Sequence, residues 1–137
     1  MVYTGTVRIH YMYQPDRVPM TTLSHPTTNS TQRDITEKAV EKYLSDTADK
    51  YNVRCLKFTS PAHTGVPDRI LVGINPYTSQ ALTIFCEVKR PGHQLKAHQE
   101  YSFADLRSHG GLVCVVDSPD AIDTLFAHTF NYDPKNP

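Results

Sequence analysis

Three side chains in the middle of this 137-residue chain have the types and spacing for chemistry on a phosphate: Asp68, Glu87 and Lys89. Each stands in or beside a short apolar run, Ile70-Leu71-Val72 for the first and Leu82-Thr83-Ile84-Phe85-Cys86 for the other two. A strand alternates its side chains, so Glu87 and Lys89 share a face while Val88 points to the other. Two neighbouring strands joined by residues 75–80 would let both acids and the lysine converge. Carboxylates are hard oxygen ligands for a divalent cation such as Mg²⁺, which keeps several waters and takes phosphate oxygens. A lysine ammonium beside them could orient the attacking water, help deprotonate it, or offset charge building at phosphorus. The set therefore suits metal-assisted phosphodiester hydrolysis. Taken alone, Glu-x-Lys on a strand is also the pattern of a surface ion pair. Its place at the end of a strongly apolar strand, after a Pro-Asp turn, favours the chemical reading.

The elements that must position these residues follow in order. Val2 to Tyr13 alternates and reads as a strand, with a hairpin at Gly5 as one option. Residues 14–32 turn to Pro, Thr, Ser and Asn and read as a loop or extended arm. Asp34 or Thr36 can cap a helix from about Ile35 to Tyr51, striped by Ile35, Ala39, Val40, Tyr43, Leu44 and Ala48. Val53 to Thr59 reads as the first core strand, with Cys55 inward. After Lys89, a turn at Arg90-Pro91-Gly92-His93 leads to a helix over about Lys96–Ser108. Ala97, Tyr101 and Ala104 line one of its faces and Phe103 and Leu106 fall off that line. Gly110 and Gly111 end that helix. Leu112-Val113-Cys114-Val115-Val116 is continuously apolar, as a doubly buried central strand should be. Asp117-Ser118-Pro119-Asp120 caps a last helix packed through Ile122, Leu125 and Phe126, and a Pro-rich tail follows from Asn131.

Composition bounds the rest. One domain of this length can bury a single core without staples. Fourteen basic and fourteen acidic side chains cancel, so overall charge does not announce a nucleic-acid partner, although a local basic patch is compatible with that balance. Cys55, Cys86 and Cys114 share no CxxC spacing and read as core thiols. His93 and His98 are poorly spaced for a shared zinc, and His63 reads as a loop residue meeting phosphate or solvent. No apolar run is long enough to span a membrane, and the N-terminus lacks the basic and apolar regions of an export signal, so a protein free in the cytoplasm is expected.

Gly65-Val66-Pro67-Asp68-Arg69, then Phe85-Cys86-Glu87-Val88-Lys89-Arg90-Pro91-Gly92, then His98-Gln99, resemble in order the signature of the virus-type replication-repair nuclease (VRR-NUC) domain. That domain is a branch of the PD-(D/E)xK phosphodiesterase superfamily, and the resemblance runs from about residue 35 to 118. It implies a mixed α/β, restriction-endonuclease-like αβββαβ core over residues 34–130. An N-terminal strand and arm (1–33) would precede it and a flexible tail (131–137) would follow.

The resemblance also implies roles. Asp68 and Glu87 would hold Mg²⁺ or Mn²⁺, with the Val88 carbonyl completing the inner shell. A helix-borne glutamate would assist directly or through water, Glu37 by register and Glu41 in reserve. Lys89 would serve the nucleophilic water, and Gln99 would order the site. Stand-alone members of this family are expected to be homodimers, typically phage-encoded, that cut branched DNA such as four-way (Holliday) junctions. The alternatives are a flap or general structure-specific nuclease acting as a monomer, and a non-catalytic DNA-binding module that keeps the fold.

Overall fold

A computed structural model describes residues 35–137 in full and, before them, two strands at 6–10 and 21–24 by their backbone. In chain order these are β1 (Thr6–His10) and β2 (Thr21–Ser24), α1 (Glu37–Lys50), β3 (Arg54–Lys57), β4 (Arg69–Ile74), β5 (Ala81–Val88), α2 (Ala97–Ser108), β6 (Leu112–Val116) and α3 (Pro119–His128). The strands form one six-stranded sheet in the order β2-β1-β6-β5-β4-β3. β3, β4 and β5 are an antiparallel meander. α2 then carries the chain over to β6, which runs parallel to β5, as such a pairing requires a crossover. From α1 to β6 the order is the expected αβββαβ.

α1 begins where Thr36 accepts a hydrogen bond from the Ala39 N–H, so the cap falls on Thr36 rather than Asp34. Ser118 does the same for α3 through the Ala121 N–H, with Pro119 in the first turn, where its missing donor costs nothing. The two helices pack on one face of the sheet. Val40, Leu44 and Ala48 from α1 and Ala121, Ile122, Leu125 and Phe126 from α3 close over Leu71, Ile84, Cys86, Val88, Cys114 and Val116. Tyr43 joins the pair from the rim, its hydroxyl donating to Asp123 at 2.8 Å. Burial and that acidic acceptor push its pKa up to about 12.

Three expectations need correction. The segment read as an arm contains β2, whose Thr21-Thr22-Leu23-Ser24 pairs antiparallel with β1. Flanking prolines hid it, yet threonine suits a strand's pleated surface. The hairpin at Gly5 and the rest of the arm lie outside the described residues. In α2 the buried position is Phe103, while Ala97, Tyr101 and Ala104 are exposed, Tyr101 by 78%. The inward stripe is Gln99, Ser102, Phe103 and Leu106, a proper helical spacing with polar residues at two of its places. β3 is shorter than expected, and its Cys55 is only half-buried.

Candidate active site

β5 is exposed where it starts and fully buried where it ends, at Cys86, Glu87 and Val88. The same strand thus acts as an edge-like support at one end and carries an ionisable group inside the protein at the other. Register explains which side each residue faces. Arg69 is the Cα partner of Cys86, so both point toward α1, and Asp68, one residue earlier, points to the Glu87 side. Asp68 and the end of β5 are then joined directly, since the Val88 N–H donates to Asp68 Oδ1 at 3.1 Å. The Asp68 backbone in turn favours the charged form of the Glu87 carboxylate.

α2 supplies the opposite wall. The Gln99 side-chain amide donates from Nε2 to Glu87 Oε2 at 3.4 Å, and its Oε1 accepts from Lys89 Nζ at 3.1 Å. The same Oε1 accepts the Lys96 backbone N–H at 3.0 Å, which fixes the amide's orientation from the helix end. Lys89 Nζ stands 3.9 Å from Glu87 Oε2. Its backbone N–H is bound to the Val116 carbonyl on β6 at 2.9 Å, so the lysine is aimed from a fixed base. Glu87, Lys89 and Gln99 therefore form a triangle of two hydrogen bonds and one ion pair beside Asp68, and all four residues are at least partly buried.

Gly65 brings the preceding loop against this wall. It has φ +80°, and a Cβ there would come within 2.7 Å of the His98 carbonyl oxygen. Only glycine permits both the left-handed backbone and the close approach. The loop beside Asp68 is thereby seated on the first turn of α2, next to Gln99.

Electrostatics at this wall are dominated by the two acids. Burial, then the nearby Asp68 carboxylate, raise the Glu87 pKa to about 7, with Lys89 opposing them. Burial also raises Asp68, countered by the Val88 N–H and Arg69. Two neighbouring desolvated carboxylates, with one ammonium 3.9 Å from Glu87 Oε2, are poorly compensated. That donor set fits a divalent cation, which would hold both in the ionised form. Among the described residues no three His, Cys, Asp or Glu side chains are grouped closely enough to hold a metal ion. The protein side chains on offer are thus two carboxylates, leaving the remaining positions to a main-chain carbonyl, waters and substrate, as Mg²⁺ accepts.

The two helix-borne acids separate. Glu41 Oε1 lies 3.4 Å from Arg69 Nη2, so it is engaged by a buried guanidinium. Glu37 is exposed at the start of α1, and its charge raises the pKa of both Asp68 and Glu87. His63, His93 and His98 are exposed around the site. Arg69 adds to the site residues that the sequence motifs assign: it is 8% exposed and also donates to the Asp68 carbonyl at 3.3 Å. Its signal was available, because an arginine opening an apolar strand must find an acid, and Glu41 is that partner.

A mixed sheet with this meander, crossover and acid-lysine cluster defines a restriction-endonuclease-like nuclease fold. No family model matches the chain. A protein of Acyrthosiphon pisum secondary endosymbiont phage 1, named "Putative nuclease p44", is 36% identical over 91 residues, covering 66% of this chain and 92% of that one. A solved VRR_NUC domain superposes with a TM-score of 0.59 at 24% identity, over 68% of this chain and 96% of its own. The chain belongs to the same family as this phage protein, and its fold is that of a VRR-NUC domain.

Proposed function

We propose that this protein is a divalent-metal-dependent DNA endonuclease whose centre is Asp68, Glu87, Lys89 and Gln99. The observation that carries the reading is the Glu87–Gln99–Lys89 triangle set against the Asp68 carboxylate. A random ion pair on a strand has no reason to be buried, amide-braced and placed beside a second acid. Asp68 and Glu87 would hold Mg²⁺ or Mn²⁺ with the Val88 carbonyl, and Glu37 would reach the site through water. The cation, when bound, supplies Lewis acidity at the scissile phosphate. Lys89 orients the attacking water and offsets charge developing on the phosphate oxygens. Gln99 holds Lys89 and Glu87 at their working separation, and Arg69 positions Asp68 by bracing its backbone against Glu41.

Residues 34–130 form the catalytic unit in this reading, with the segment before it adding strands to the same sheet. The preferred substrate is branched DNA, four-way junctions above all, cut by a homodimer. Two equivalent centres on a twofold axis suit paired cuts in a symmetric junction. A phage origin and action in the host cytoplasm accord with the phage relative, and among the described residues no helix is long and apolar enough to cross a membrane.

The test is gel analysis of four-way, flap and linear DNA with Mg²⁺, Mn²⁺ or EDTA, alongside a mass measurement in solution. Paired symmetric nicks by a dimer are expected. Flap cutting by a monomer would replace the junction reading, and binding without cutting would replace the enzyme by a binding module.

A further inference from the structure

Beside the acid-lysine centre lies a cavity of about 490 Å³ lined by Lys38, Lys89, Arg90, His93 and Lys96, with Glu37 the one acid on its wall. It sits between the first turn of α1, the end of β5 and the entry to α2, and it shares Lys89 with the centre. Four lysine and arginine side chains against one carboxylate are a marked local excess in a chain whose charges cancel overall. Like charges gathered on one concave wall repel, and the arrangement is stabilised by an anion that enters between them. Among the described residues, Lys38, Arg90 and Lys96 have no ion pair with an acid within 4 Å, whereas Lys42 pairs with Asp46 and Arg69 with Glu41. The volume is that of a small-ligand site.

Resting on the nuclease reading above, we infer that this cavity is a phosphate subsite. Lys38, Arg90, His93 and Lys96 take the phosphodiester next to the one being cut, and Lys89 marks the boundary between the two positions. Arg90 can fork two oxygens of a phosphate, while the lysines act as point charges. The subsite works by charge alone, so it holds DNA without a divalent cation. It sets the register of the cut by fixing the neighbouring phosphate before the scissile one meets the centre.

The experiment measures binding of a fluorescent four-way junction in EDTA across a salt series. It compares the wild-type chain, the triple variant Lys38→Ala/Arg90→Ala/Lys96→Ala, and a control, Lys50→Ala/Lys135→Ala, at exposed lysines outside the cavity. The triple variant should bind at least about tenfold more weakly, with a salt slope shallower by about one for each phosphate it no longer neutralises. The control should move far less. Single methylphosphonate linkages placed on either side of the cut should then reveal one position where the neutral linkage weakens wild-type binding but not the variant's. A milder variant, Arg90→Gln/Lys96→Gln, should show the same coupling if the triple variant melts early. Equal affinity and slope in wild type and variants, or strictly additive losses at every linkage, would overturn the subsite while junction cutting stood. A wild-type protein that neither binds nor cuts DNA would remove the nuclease reading itself.

Discussion

The two faces of the sheet follow different rules. Under α1 and α3 the packing is apolar and almost every core residue is fully buried, from Val40 and Leu44 to Leu125 and Phe126. Under α2 the buried apolar residue Phe103 shares its helix with Gln99, which is bonded to Glu87 and Lys89. The first face can be rearranged only at the expense of stability. The second face holds an ionisable group, Glu87, whose pKa is raised to about 7 by burial and then by the neighbouring Asp68 carboxylate. Each substitution should therefore affect mainly activity or mainly stability, according to the face it alters.

The largest effect belongs to Lys89→Ala. Cleavage should fall by on the order of a hundredfold to a thousandfold, as when other charge-stabilising groups are removed from active sites, while DNA binding persists and the melting temperature shifts little. Phe126→Ala on the opposite face should do the reverse. It empties a fully buried site packed between Tyr51 and Phe130 and should cost about 3–5 kcal/mol of stability in a denaturant titration, with activity per folded molecule retained.

Asn75→Ala comes next. The Asn75 side chain is 2% exposed and donates to the Thr129 and Tyr132 carbonyls at 2.6 and 2.8 Å. It also accepts the Tyr77 N–H at 2.8 Å, tying the β4–β5 turn to the end of α3. Stranding those buried groups should cost about 1–3 kcal/mol, read as a lower denaturation midpoint with no loss of cutting.

The smallest and most diagnostic effect is on pH. The folded protein holds the Glu87 proton up to a pKa of about 7, against an ordinary value of 4.5. Folded protein therefore binds more protons than unfolded between those values. In EDTA its stability should be fullest below about pH 4.5 as far as Glu87 is concerned and should decline as pH rises through 7. Glu87→Gln should flatten that decline, and a wild-type melting profile already flat over this range would show that Glu87 is not so perturbed.

How much of this was legible in the residues differs by face as well. β6 and α3 are legible because β6 is a continuous apolar run of strand length, the apolar residues of α3 keep helical spacing, and Ser118 announces the cap. α2 departs from its hydrophobic spacing for a physical reason. Its inward face includes Gln99 and Ser102, so hydrophobic spacing alone points to the wrong side, and only the family motif singled out Gln99. Glu87 and Lys89 stood out because charge at the end of an apolar strand is costly. Their convergence with Asp68 depends on register between β4 and β5, which no local pattern carries. An arginine at the head of an apolar strand signals that Arg69 needs an acid, but the choice of Glu41 joins a helix to a strand across the fold and no local pattern carries it. The basic cavity collects Lys38 from one helix and Lys96 from the entry to another, far apart in the chain, in a sequence with no net charge to advertise it.

The central claim is that Asp68 and Glu87 share one divalent cation, and calorimetric titration of the EDTA-stripped protein with Mn²⁺ tests it most directly. The expected result is a site that is lost in Asp68→Asn and in Glu87→Gln, strengthens from pH 6 to pH 8, and releases a proton on binding at the lower pH. Unchanged Mn²⁺ binding in either variant, or affinity indifferent to pH over that range, would contradict it.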